Sequence, residues 1–166
     1  MKKLVTIALT LILALTLAAC GGAKQPAGPD LSKFPKDLKE WSATDYNNYF
    51  IAAGVYDEKI GYVQDHATYW FDTPVCEGSG AMDDAGDVMV FIFTFDPAAQ
   101  DADVPAFMEE LRTSKAFPEE LSGLPMDHMA ANACFCFQFS GSEEVYQAAE
   151  KAFQDLMTAM KVTPDF

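Results

Sequence analysis

Val88-Met89-Val90-Phe91-Ile92-Phe93-Thr94-Phe95 decides the fold class of this chain. Successive side chains of a strand point to opposite faces, so Met89, Phe91, Phe93 and Phe95 share one face and Val88, Val90, Ile92 and Thr94 the other. Both faces are almost wholly apolar, and both therefore need cover. That predicts a strand in the interior of a sheet. Ala133 to Phe139 repeats the pattern, with Ala133, Phe135, Phe137 and Phe139 opposite Cys134, Cys136 and Gln138.

Helical signals surround these strands. Ser42 and Thr44 are cap candidates for a helix through Ala53 in which Tyr46, Tyr49, Phe50 and Ala53 recur on one face, with Gly54 as its stop. Asp103 and Pro105 open a second helix to about Ser114, burying Phe107, Met108 and Leu111. Ser142 caps a third, with Glu143 and Glu144 in its first turn and Lys161 in its last. Its stripe of Val145, Ala149, Ala152, Phe153, Leu156, Met157 and Met160 follows the 3.6-residue period.

A further strand falls within Tyr62 to Phe71, and another is placed around Met126 to Ala131. One turn of helix is expected near Pro35. The stretch Gly78-Ser79-Gly80-Ala81-Met82-Asp83-Asp84-Ala85-Gly86-Asp87 reads as a loop by composition. The expected fold is α+β. It is a two-layer sandwich in the order α-β-β-α-β-α, with a small sheet of about three or four strands whose phenylalanine faces pack under the helices. If the strands ending at Phe95 and beginning at Ala133 are parallel neighbours, the crossover between them is right-handed.

The N-terminus is organised differently. Lys2 and Lys3 precede an apolar run from Leu4 to Leu17, broken only by three threonines, and Leu17-Ala18-Ala19-Cys20 follows. A permanent membrane helix needs roughly 20 apolar residues, so this run suits a signal h-region better than a stop-transfer helix. Residues 1–30 resemble the start of bacterial lipoprotein precursors, with Leu17 to Cys20 as the lipobox. The resemblance implies cleavage between Ala19 and Cys20 and a diacylglyceryl thioether on Cys20, a palmitate-type lipid anchor at the outer face of a bacterial membrane. Two acyl chains hold stably where one is marginal, since each buried CH₂ contributes roughly 0.8 kcal/mol. Domain organisation follows: residues 1–19 as removed signal peptide, 20–32 as a Gly- and Pro-rich tether, and 33–166 as one globular extracytoplasmic domain.

The full chain carries a net charge of −14, and loss of Lys2 and Lys3 leaves 9 basic against 25 acidic residues, or −16. Such a surface repels nucleic acid and anionic lipid headgroups. The partners expected are the membrane, through the lipid on Cys20, and a protein or small ligand not specified by any motif.

No catalytic or cofactor-binding set is recognisable. Beyond Cys20 the chain has Cys76, Cys134 and Cys136, an odd number for disulfides. Residues two apart on a strand lie roughly 6.6–7 Å apart, at the disulfide limit, so any bridge would join Cys76 to one of the others. The competing reading takes all three as small buried hydrophobes. C-x-C is not the spacing of a structural zinc site, and Asp83, Asp84 and Asp87 lack the ligand spacing of a calcium loop. No metal or cofactor is therefore expected. Trp41, Tyr46, Tyr49, Tyr56, Tyr62, Tyr69 and Trp70 are read as core rather than as an exposed stacking platform.

The expected role is a non-enzymatic binding or envelope-interaction domain. Two alternatives stand beside it: an enzyme using His66 or His128 with Cys76 or nearby aspartates, and an accessory subunit docking through exposed aromatics.

Overall fold

The first helix, α1 (Ala43–Ala52), shows how closely local chemistry sets element bounds. Ser42 and Asp45 form a reciprocal capping box: Asp45 N–H donates to Ser42 Oγ at 3.1 Å and Ser42 N–H to Asp45 Oδ2 at 2.9 Å. At the other end Gly54 takes φ +77°, and Val55 N–H reaches back to the Phe50 carbonyl at 3.0 Å. That is a Schellman closure, which favours glycine because it lacks a Cβ. The computed structural model describes residues 28–56, 62–67, 76–82, 88–96, 98, 103–119, 123–137 and 143–166.

Two single turns of 3-10 helix, Leu31–Lys33 and Leu38–Glu40, precede α1 in the stretch where one turn was expected. The strands are β1 (Tyr62–Ala67), β2 (Cys76–Met82), β3 (Val88–Phe95), β4 (His128–Ala130) and β5 (Ala133–Cys136). The remaining helices are α2 (Asp103–Ser114) and α3 (Glu143–Met160). The α+β class and the order of helices around the sheet are borne out. The five strands pair in the order β1-β2-β3-β5-β4, which puts β3 in the middle, and every pairing is antiparallel.

Two expectations are corrected. The stretch from Gly78 to Met82 is strand, not loop. Gly78 and Gly80 lie opposite Phe93 and Phe91 of β3, and a Cβ on Gly80 would come within 2.8 Å of Phe91 Cδ2. The glycines thus make room for aromatic rings lying across the sheet, a pairing that compensates a poor strand former. Second, β3 and β5 are neighbours but antiparallel, so no parallel crossover joins them.

Antiparallel register also sorts the phenylalanines. Paired residues share a face, and Ile92 pairs with Phe135 while Phe93 pairs with Cys134. Val90, Ile92, Ala133, Phe135 and Phe137 therefore face α1 and α3, meeting Tyr46, Phe50, Phe153 and Leu156 in the larger core. Phe93, Phe95, Cys134 and Cys136 face the other way, under Val104, Met108 and Leu111 of α2. Both phenylalanine sets do pack under helices, but on opposite faces of the sheet. The α1/α3 layer makes the sandwich, and α2 adds a smaller cover behind it.

Buried aromatics meet edge to face, as between Tyr46 and Phe135 at 5.1 Å and between Phe135 and Phe153 at 4.9 Å. Their polar ends are satisfied: Trp41 Nε1 donates to the Pro35 carbonyl at 2.8 Å, Tyr46 Oη to that of Leu38 and Tyr49 Oη to that of Ala152. Trp41, Tyr46, Tyr49 and Tyr56 are core, as read. Tyr69, Trp70, Asp83, Asp84 and Asp87, and the cap expected at Ser142, lie outside the described residues.

Candidate functional site

Strand order separates the two histidines of the enzymatic alternative. His66 sits on edge strand β1 and His128 on the opposite edge, β4. Four strand spacings, about 19 Å, separate those edges. Cys76 is on β2, three strands from β4. His66 lies on the strand beside Cys76, one register position away, since it pairs with Glu77 while Ala67 pairs with Cys76; His128 is remote from both.

His128 has its own environment. Its Nε2 lies 2.6 Å from Glu150 Oε2 and its Nδ1 3.2 Å from the Phe166 main-chain oxygen. The ring stacks on Phe153, with centroids 4.2 Å apart and planes 6° from parallel. Both ring nitrogens are thus occupied, which fixes the imidazole as a tie between β4, α3 and the C-terminal segment. The same segment is held by Asp165, whose N–H donates to the Met129 carbonyl at 2.7 Å and whose Oδ2 accepts from Arg112 Nε at 2.9 Å.

Cys76, Cys134 and Cys136 are free thiols, each buried. Because β3 runs between β2 and β5, Cys76 is at least two strand spacings from the other pair, about 9.5 Å, beyond the roughly 7 Å a disulfide spans. Burial pushes the Cys134 thiol up to about 12, and it raises Cys76 and Cys136 as well. Thiols so held are protonated and poorly nucleophilic at neutral pH. Among the described residues no group of three or more His, Cys, Asp or Glu is placed to hold a metal ion.

Among the described residues, two surface concavities can be compared. The larger, about 690 Å³, runs between α1 and α3 beside Gly28 and Pro29, and small side chains such as Ala52, Ala148 and Ala152 form much of its wall. The smaller, about 310 Å³, lies where α2 begins and the β4–β5 hairpin turns. This second pocket gathers unlike chemistries: Phe95, Val104 and Met108 supply apolar wall, Lys39 and Arg112 positive charge, and Asp96 a carboxylate.

Asn132 is the unusual member of that pocket. It is 8% exposed. Its Nδ2 donates to the Phe95 carbonyl at 2.6 Å, and its main-chain carbonyl accepts from Phe95 N–H at 2.9 Å. The Phe95 carbonyl requires a donor, so the amide orientation is set. Oδ1 is then left enclosed, and no described residue donates to it. An unmet buried acceptor costs about 1–3 kcal/mol. Beside it Ala131 holds φ +56°, a conformation that costs a residue with a Cβ. Two departures from relaxed structure coincide at one pocket.

This arrangement can hold a small molecule by charge, hydrogen bonds and apolar contact. Lys39, Asp96 and Asn132 are not residues that the sequence singles out. A weak signal for Asn132 did exist: it is the residue between the strand placed around Met126 to Ala131 and the one beginning at Ala133, where the chain must turn. Among the described residues, no helix is long and apolar enough to cross a membrane. Cys20 lies outside the described residues. No protein-family model, curated protein or solved structure matches this chain.

Proposed function

We infer that this chain is a bacterial lipoprotein, held at the outer face of a membrane by lipid on Cys20, whose domain is a non-enzymatic binding module. Leu17-Ala18-Ala19-Cys20 at the end of a short apolar segment carries the reading. The anchor confines the domain to a surface, and the Gly- and Pro-rich stretch Gly21 to Pro29 lets it sample the space above that surface. Binding is favoured as its role because burial keeps the Cys76, Cys134 and Cys136 thiols protonated and His128 is tied to Glu150 and Phe166, whereas the pocket beside Asn132 collects charge and apolar wall.

Mass spectrometry of the full chain purified from membranes tests the anchor. The expected N-terminus is Cys20 carrying a diacylglyceryl group, and Cys20→Ser is expected to leave an unlipidated precursor. An unmodified Cys20, or an N-terminus elsewhere, overturns the assignment.

A further inference from the structure

We propose that residues 162–166 form a clasp over edge strand β4 that closes when the His128 ring is protonated and opens when it becomes neutral. The proposal rests on neither the lipid anchor nor the pocket beside Asn132. Chain geometry sets the clasp up. Lys161 takes φ +56° after α3, and Val162 N–H returns to the Met157 carbonyl at 3.0 Å, so the chain reverses there. Asp165 N–H then donates to the Met129 carbonyl on β4, the outermost strand on that side of the sheet. A bare strand edge is a template for pairing with another chain. Opening the clasp would free the Met129 carbonyl, and with it the edge of β4, for such pairing.

His128 fastens the clasp at Phe166. Its Nδ1 lies 3.2 Å from the Phe166 main-chain oxygen and its Nε2 2.6 Å from Glu150 Oε2. Glu150 Oε1 accepts from Gln154 Nε2 at 3.1 Å, so both carboxylate oxygens act as acceptors. A neutral imidazole has a single N–H, and neither oxygen facing this ring donates. Both contacts are hydrogen bonds only with a proton on each nitrogen. The stack on buried Phe153, with centroids 4.2 Å apart, keeps the ring aimed at the two oxygens. When one proton leaves, the short contact to the carboxylate keeps the other. The Nδ1 lone pair then faces the Phe166 oxygen, acceptor against acceptor, and the clasp loses its fastening. Around this tie stand Asp127, beside the ring in sequence, Tyr146 on α3 and Asp165 on the clasp. The cations are Arg112, paired with Asp165 and Glu109, and Lys115, over the Phe166 ring at 5.0 Å. The charges of Asp127 and Asp165 offset those of Arg112 and Lys115, which leaves the two bonded oxygens to decide the tie.

Nuclear magnetic resonance of the full chain in detergent micelles tests the proposal across the interval from about pH 5 to about pH 8, in which imidazole changes charge. At the acid end both His128 nitrogens are expected to carry protons, and at the alkaline end only Nε2. Over the same interval the Asp165 amide, corrected for its intrinsic rate, should lose at least about tenfold of its protection against hydrogen exchange, the worth of a hydrogen bond to a charged group. The Ile92 amide, on central strand β3, should not change. His128→Gln removes the titrating ring and should make Asp165 protection independent of pH. Glu150→Gln keeps an oxygen opposite Nε2 without its charge and should move the opening to lower pH. Position 150 is a partly exposed helix site, so this variant carries the test even where His128→Gln does not fold. Circular dichroism establishes which variants are folded. A single protonated nitrogen at the acid end overturns the proposal, as does equal Asp165 protection at both ends. So do a matching loss at Ile92, the same loss in folded His128→Gln, and an opening left in place by Glu150→Gln.

Discussion

Replacing Gly80 with alanine sets two terms of opposite sign against each other. Glycine inside a strand costs roughly 0.5–1 kcal/mol relative to alanine, because the more flexible residue loses more freedom on folding. On that term alone Gly80→Ala stabilises the protein. Packing in β2 and β3 reverses the sign. The added Cβ would meet Phe91 Cδ2 at 2.8 Å, Phe91 Cε2 at 3.0 Å and the Val90 carbonyl oxygen at 3.2 Å. The carbonyl belongs to the strand backbone and has little room to retreat. The ring can turn away, but only by giving up its stack on Phe93, where centroids lie 4.5 Å apart. Such an aromatic pair contributes about 0.5–1.5 kcal/mol, and overpacking of a formed core typically costs about 1–3 kcal/mol. The net expectation is a loss of about 0.5–2 kcal/mol.

Urea unfolding of the full chain, followed by far-ultraviolet circular dichroism, reads this as a lower midpoint at unchanged slope. The double-mutant cycle with Phe91→Ala sharpens it. With the ring gone, alanine at position 80 should be neutral or stabilising. A Gly80→Ala protein with a higher midpoint than wild type would refute the close glycine–phenylalanine packing on which the placement of β2 rests.

Ser42→Ala should cost about 1 kcal/mol through loss of the capping box, and Ser42→Asp should restore most of it, as read from melting temperatures. Cys76, Cys134 and Cys136 should resist a thiol reagent in the native protein and all react once it is denatured; rapid native labelling would contradict their burial. Alkaline titration should destabilise the fold. The folded Cys134 thiol is raised from 9.0 to about 12 and the folded Tyr49 hydroxyl from 10.0 to about 12. Their contribution is therefore intact below the unfolded values and lost as pH rises towards the folded ones. Stability that is flat between pH 9 and 12 would count against both shifts.

The parts that were legible in the sequence share one property: their signal is local. The period of Ala149, Ala152, Phe153 and Leu156 marks α3, Ser42 and Gly54 bracket α1, and the two-faced apolar run marks β3 as central. What misled was also local. Gly78 and Gly80 have the composition of a loop, and the reason they are strand stands on β3, in Phe91 and Phe93. The pocket was illegible for a related reason. Lys39, Asp96 and Asn132 carry no shared motif, and only packing brings them to one cavity.

Sequence alone was enough to derive the α+β class, the helix bounds and the expectation of a lipid anchor at Cys20. Each rests on contacts between residues a few positions apart, or on chemistry a peptidase reads linearly. Tertiary structure decided which face each phenylalanine covers, that β3 and β5 run antiparallel, and that His66 and His128 stand at opposite edges. It also left the Asn132 oxygen without a described donor beside Lys39 and Asp96. Strand register and long-range convergence depend on how distant segments share one core, and no local pattern encodes that.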